Sequence, residues 1–434
     1  MEILINPARS QWQTLAERPL FDLSSLFAAV QPILEQVRND GDEALRRLEE
    51  RFDKARLTTL AVPAQALQEA ESELPPSLCE AIRLAHHNIT AFHAAQRFSP
   101  ITVETQTGIV CQQRAVPIER VGLYIPGGTA PLFSTVLMLA IPATIAGCSE
   151  IVLCTPPSPD GSINAAIRFA AHLCGVTKVF SVGGAQAIAA MAYGTESIPR
   201  VDKIFGPGNQ YVMAAKQLVS LSHVAIDMPA GPSEVEVLAD TTCRPEFVAA
   251  DLLSQAEHGV DSQAVLVTTD KQVAEQVAHE TALQLSQLPR RDIAQRSIDN
   301  SRILVFENDM ASAIDFTNLY APEHLIIATE NYHAVADQIR NAGSVFLGNF
   351  SCESAGDYAS GTNHTLPTKA WARSYSGLSL DSFQRKMTLQ ELRPEALAAF
   401  APAVEAMAAA EQLDAHRKAM YLRRIAAQDA LGHE

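Results

Sequence analysis

The chain has 434 residues, enough for two or three domains rather than one simple core. Hydrophobic residues make up 47% of it and charged residues 19%, the balance of a globular protein in water. A net charge of −16 offers no basic footprint for nucleic acid, and no uninterrupted run of about 18 apolar residues is present to span a bilayer.

The first residues, Met1 to Arg9, lack a basic region followed by an apolar run, so no secretory signal is expected. Residues 24–98 read mainly as helix: Leu26, Val30, Ile33, Leu34 and Val37 repeat with helical period before Gly41, and 78–98 give a second long pattern. A strand over Val121–Ile125 runs into the turn Pro126-Gly127-Gly128, and a helix from near Pro131 stops at Gly147. Strand Ile151–Thr155, helix 163–174, strand Lys178–Val182, the pair Gly183-Gly184 and helix 185–193 follow. Strand Lys203–Phe205, the turn Gly206-Pro207-Gly208-Asn209, helix 210–220 and strand Ala225–Asp227 close the series. Such alternation predicts a mostly parallel sheet covered by helices.

A second series places strands at Val235–Leu238, Ala264–Thr268, Arg302–Phe306, His324–Ala328 and Ser344–Leu347, with helices near 245–258, 270–287, 309–319 and 331–341. A polar loop spans 348–379, and 388–428 return to Ala-rich helix that belongs to neither sheet. The seven cysteines are scattered and contain no Cys-x-x-Cys, which argues against a disulfide framework or a thiolate zinc site. Buried small hydrophobes are the expected role for most of them.

Chemistry concentrates in a few places. Asp251-Leu-Leu-Ser-Gln-Ala-Glu-His-Gly259 sets Gln255 and His258 three residues apart on one helix face, with Gly259 ending the helix. Two neutral ligand-type side chains aimed the same way are half a metal site. The loop supplies Asp357 and His364, and the tail supplies Glu411, Asp414 and His416. Nitrogen and oxygen donors without thiolate suit zinc or a similar divalent ion. Each histidine taken singly is more simply a hydrogen-bonded core or surface residue.

Gly206-x-Gly208 between strand and helix resembles half of a dinucleotide fingerprint, but Tyr211 stands where the third glycine would be. Asp227 lies where a ribose-binding acid would sit; the plain alternative is a tight turn needing glycine freedom. Glu323-His324 begins a strand, where neighbours point to opposite faces, so both reach one site only in the turn before the strand proper. A Glu–His pair is a natural acid/base set, and an exposed turn is the competing reading.

These segments together resemble the bacterial histidinol dehydrogenases over nearly the whole length. The carrying stretches are 121–128, 182–187, 203–209, 227–234, 251–259, 321–325 (Ala-Pro-Glu-His-Leu) and 354–364 (Ser-Ala-Gly-Asp-Tyr-Ala-Ser-Gly-Thr-Asn-His). The resemblance implies two Rossmann-like α/β domains, a helical N-terminal segment and a C-terminal helical tail in a domain-swapped dimer. It divides the chain into an N-terminal segment 1–23, a first α/β domain with helical lead-in (24–123 and 234–378), a second, NAD-contacting α/β domain (124–233) and a tail, 379–434, that reaches the partner subunit.

It also implies a cytoplasmic enzyme of histidine biosynthesis that oxidises L-histidinol to L-histidine through an aldehyde, using two NAD+. One Zn2+ per subunit would be held by Gln255, His258, Asp357 and His416. Substrate contacts would come from Ser233, His324, Glu411 and the zinc ligands, and NAD+ contacts from Tyr124, Gln186 and Asn209. His324 would be the general base and Glu323 would activate water. Glu411 and His416 would complete the partner's site in a homodimer without membrane or nucleic-acid partners. A relative acting on another amino alcohol, a zinc hydrolase working without NAD+ and a non-catalytic binding protein are the competing readings. NADH formation with histidinol separates them.

Overall fold

The computed structural model describes residues 1–18, 23–127, 131–228 and 231–431. Gly128 of the first glycine turn, Pro229 and Ala230 of the 227–234 stretch, residues 19–22 of the N-terminal segment and 432–434 of the tail lie outside them. The chain divides into two compact units, one of residues 1–96 and 118–383, the other of residues 97–117 and 384–434.

The larger unit begins with β1 (Glu2–Ile5), α1 (Trp12–Leu15) and α2 (Leu23–Phe52). Gly41 interrupts α2 at φ 53°, where a side chain would collide with the carboxylate of Glu196. The glycine therefore kinks the helix and does not end it. Helices α3 (Ala64–Glu69) and α4 (Pro76–Ala94) follow. Between them and the first α/β series lie two strands of the smaller unit, β2 (Ile101–Gln106) and β3 (Ile109–Pro117).

The first series is β4 (Arg120–Tyr124), α5 (Phe133–Ala146), β5 (Glu150–Thr155), α6 (Ala165–Leu173), β6 (Lys178–Ser181), α7 (Gly184–Tyr193), β7 (Lys203–Phe205), α8 (Gln210–Ser220) and β8 (Ala225–Ile226). All its strands are parallel, in the order β6-β5-β4-β7-β8. Val121 and Leu123 pack under α4, α5 and α6, while Val152, Cys154 and Ile204 pack under α2, α7 and α8. Burial on both faces explains the continuous apolar runs.

The second series is β9 (Glu234–Ala239), α9 (Pro245–Ala256), β10 (Gln263–Thr268), α10 (Lys271–Leu285), α11 (Arg291–Asp299), β11 (Arg302–Val305), α12 (Met310–Tyr320), β12 (His324–Ala328), α13 (Tyr332–Ala336), β13 (Ser344–Leu347) and α14 (Glu353–Tyr358). Its parallel sheet has the order β1-β11-β10-β9-β12-β13. The polar stretch read as a loop thus holds the short α14. β1 adds an edge strand from the far end of the chain.

The smaller unit is an antiparallel sheet, β14-β3-β2, with β14 (Gln384–Leu392) followed by the helical hairpin α15 (Pro394–Ala410) and α16 (Asp414–Leu431). Residues 388–392, expected as helix, are strand. Exposure along Lys386 to Leu392 follows no strict alternation, and no apolar face announces the strand. Glu405 and Arg424 join the two helices by a fork of hydrogen bonds at 2.8 and 3.1 Å. No helix among the described residues is long and apolar enough to cross a membrane.

One buried acid is not used by the site described below. Glu236, on central strand β9, is fully buried; the hydroxyl of Thr317 donates to one of its oxygens and the other has no hydrogen-bond partner. Burial pushes its carboxyl from 4.5 up to about 8. A raised folded value means the neutral form favours the fold, so this contribution is complete at acid pH and is lost as pH rises through about 8. Glu236→Gln should match the wild type in melting temperature at acid pH and exceed it at alkaline pH. Thermal melts across that range test this, and an equal alkaline loss in both proteins would refute it.

Candidate active site

The order of the first sheet reverses direction between β4 and β7, so a crevice opens beyond their carboxyl ends. Gly206 stands there with φ 125°, and a side chain on it would strike the carbonyl oxygen of Tyr124. Only glycine lets the two strand ends approach so closely. Asp227 holds the turn. It accepts from the Gly206 amide at 2.8 Å and forms an ion pair with the buried Lys216, whose ammonium also donates to the Gly206 carbonyl at 2.7 Å. Both oxygens of Asp227 are engaged, so it anchors the loop and is not a free ribose acceptor.

The crevice continues into a cavity of about 490 Å³ whose far wall comes from the amino ends of β9 and β12. The carboxyl-end rule therefore holds for the first sheet and is inverted for the second. At that wall α9 ends. It stops at Ala256, three residues before Gly259, and the His258 amide donates to the Gln255 carbonyl at 3.2 Å in a tighter turn. Gln255 and His258 still line the same cavity. The helix presents the negative end of its dipole there, which favours a cation.

Glu323 precedes β12 and His324 is its first residue, so both line the cavity although they are consecutive. The peptide of Glu234 holds them. Its N–H donates to Glu323 Oε2 at 2.8 Å, and its carbonyl accepts from His324 Nδ1 at 3.1 Å. Because a carbonyl only accepts, Nδ1 carries the hydrogen. Nε2, which has no hydrogen-bond partner and lies 3.6 Å from Asp357 Oδ1, is then the nitrogen at which the ring gains or loses its second proton.

Four carboxyls crowd this imidazole and its neighbours. Burial pushes Glu323 and Glu353 up to about 8 and Asp251 up to about 7. Burial also disfavours charge on His324, but Glu353, Glu323 and Asp357 outweigh it and raise the imidazole well above its ordinary value. Asp357 is buried too, yet His324, His364 and His258 hold it below the usual carboxylate range. His258 is lowered, chiefly by the protein packed around it.

His258, Glu353 and Asp357 offer ligand atoms within 4.8 Å of one another. Gln255 is fully buried, and neither its amide oxygen nor its nitrogen has a partner. A buried orphan amide costs about 1–3 kcal/mol, which a ligand would relieve. These donors, nitrogen and oxygen without sulfur, fit a first-row divalent ion.

Of the other residues singled out from the sequence, Ser233 and Asn209 line the cavity, and the Asn209 side chain also caps α8 through the amides of Tyr211 and Val212. His364 lines it with Nδ1 2.9 Å from the Asp357 carbonyl and Nε2 3.3 Å from Thr135 Oγ1. Tyr124 and Gln186 lie buried beside the Gly183-Gly184 turn. The Tyr124 hydroxyl accepts from the Gly184 amide at 3.1 Å, and Gln186 Nε2 donates to Glu49 at 2.9 Å. Glu411 and His416 belong to the smaller unit, where both are exposed. Sequence reasoning passed over Glu353, although its spacing of four from Asp357 puts both on one face of α14. It also passed over Glu234, whose role lies in its backbone and leaves no side-chain signal.

Residues 16–424 match the family model described as histidinol dehydrogenase. The histidinol dehydrogenase of Bacteroides fragilis (strain YCH46) is 62% identical over 423 residues, covering 98% of this chain and 99% of that protein. That of Escherichia coli (strain K12) is 53% identical over 416 residues, 95% of each. The crystal structure of histidinol dehydrogenase from Elizabethkingia anophelis superposes with a TM-score of 0.94 at 52% identity, covering 98% of both chains.

The unpartnered amide gives a direct test. Gln255→Met keeps length and volume but removes the two orphan polar atoms. In metal-free protein it should unfold at the wild-type temperature or above, by up to about 2 kcal/mol of added stability. The same variant should bind less divalent metal by elemental analysis. A clear loss of stability without metal would mean that the amide is satisfied in the folded chain.

Proposed function

The chain belongs to the histidinol dehydrogenase family and is an NAD-dependent oxidoreductase, and on that footing we propose how its own residues oxidise L-histidinol to L-histidine. The observation that carries the reading is the Glu234 peptide, which leaves His324 Nε2 as the nitrogen that exchanges a proton beside Asp357.

Gln255, His258 and Asp357 would hold a Zn2+, with His416 from the tail of the partner subunit as fourth ligand and Glu353 beside them. When bound, the ion would supply orientation and charge neutralisation for the amino alcohol. With the carboxylate charge offset in this way, His324 would be neutral and able to accept a proton. In the first oxidation His324 Nε2 takes the hydroxyl proton as the carbinol carbon gives its hydride to NAD+. Glu323, ionised, takes a proton from the water that adds to the aldehyde. His324 then acts again as the hydrate gives up the second hydride. One water is consumed, two NAD+ are reduced and three protons are released, so atoms and electrons balance. General base catalysis of this kind contributes roughly 10²–10⁴-fold.

Ser233 and Glu411 would bind the substrate, the latter through its imidazole. NAD+ would lie along the Gly206–Asn209 turn against Asn209, with Tyr124 and Gln186 shaping the adjoining turn. The domains would divide as the resemblance suggests, in a cytoplasmic homodimer whose tails complete each other's sites.

Two NADH should form per histidinol. His324→Gln should lower kcat by roughly 10²–10³-fold while metal content stays at the wild-type level. Unchanged turnover would remove the base from this scheme. The shared site has its own test: mixing a Gln255→Ala protein with a His416→Ala protein should restore activity in hybrid dimers, which carry one intact site. Verified hybrids with no activity would rule out the tail exchange.

A further inference from the structure

Glu234 has two faces. Its peptide holds Glu323 and His324, as described above. Its carboxylate, almost wholly buried, receives a fork from Arg18, with Nε at 3.1 Å and Nη2 at 2.7 Å. The Lys369 amide adds a third donor, at 2.8 Å from Oε1. Arg18 is itself fixed from two further sides: its guanidinium lies 3.6 Å from the centre of the Tyr320 ring, and Nη1 donates to the Ala16 carbonyl at 2.9 Å.

The placement is demanding. Tyr320 is the last residue of α12, three residues before Glu323. Glu234 is the first residue of β9, the strand paired with β12 so that Val235 stands opposite His324. Arg18 therefore ties the residue that holds the pair to the helix that delivers it, and neither end of that tie touches the cavity. A buried ion pair contributes little net stability against an apolar replacement, so stability alone does not explain charges here. A bidentate fork does supply direction.

We infer that the Arg18–Glu234 ion pair is a positioning device for the catalytic pair: it orients the Glu234 peptide, which holds Glu323 in place and sets Nε2 as the proton-accepting nitrogen of His324. This rests on the reading of Glu323 and His324 as the working pair. Small displacements of a reacting group cost rate steeply, and binding of either substrate is untouched.

Arg18→Lys keeps the charge and loses the fork and the stacking. In the metal-loaded dimer its kcat should fall by about tenfold or more, with KM for histidinol and for NAD+ unchanged and a larger deuterium isotope effect on histidinol oxidation, because proton and hydride transfer slow together. A second variant, Arg18→Met/Glu234→Gln, removes both charges and separates positioning from folding. Its melting temperature should return to that of the wild type or above while kcat stays low. Recovery of kcat along with melting temperature, or wild-type kcat in Arg18→Lys, would overturn the inference. His324→Gln run beside them tells the two readings apart. If that variant alone keeps wild-type turnover, the catalytic pair is wrongly assigned; if it is inactive while the Arg18 variants are not, only the positioning role falls.

Discussion

Glu234 donates its amide hydrogen to Glu323 and accepts one from His324, and those two bonds decide what consecutive residues at a strand start can do. Side chains of neighbours in a strand diverge. Here the divergence is avoided because Glu323 stands before β12 and only His324 lies in it. One peptide on the paired strand then serves both, and in doing so it selects the imidazole nitrogen that meets the cavity. His258, Glu353 and Asp357 and the glycine turn line the same cavity.

The cavity joins opposite ends of two parallel sheets. From the first sheet it takes the carboxyl ends, where the order reverses between β4 and β7 and glycine permits close approach. From the second it takes the amino ends, together with the C-terminus of α9. The two walls differ in electrostatic character. The first wall carries backbone amides and a loop tied down by Lys216 and Asp227. The second gathers Glu323, Glu353, Asp357 and the negative end of a helix around two histidines. Burial first, and the neighbouring carboxyls second, disfavour charge on Glu323 and Glu353 and raise their values. A bound cation is the natural counterweight, and the unpartnered amide of Gln255 stands beside it as a further donor.

Legibility in the sequence followed physical signal. The strands and helices of both α/β series could be read because apolar runs bounded by glycine are what a doubly covered parallel sheet requires. The smaller unit could not: β2 is exposed at every position, so no alternation marks it, and β14, the other partner of β3, lies in a distant part of the chain. Gly41 looked like a helix end because its backbone is indeed non-helical, yet the helix resumes once Glu196 accepts the Asp42 amide. The short α14 hid in a polar stretch with too few turns to show a period, and Glu353 hid with it.

Residue types and spacings by themselves determined the α/β class, the glycine turns, the pairing of Gln255 with His258 and the acid/base character of Glu323-His324, because each of these depends on backbone freedom or side-chain chemistry within a few positions. Only the tertiary structure decided that the second sheet offers its amino end, that Glu353 joins His258 and Asp357, and that Asp227 is spent on Lys216 and Gly206. It alone showed that a distant arginine grips the residue whose peptide holds Glu323 and His324. Such facts arise from contacts across tens to hundreds of residues, made by backbone groups and charges that every sequence carries and only folding brings together.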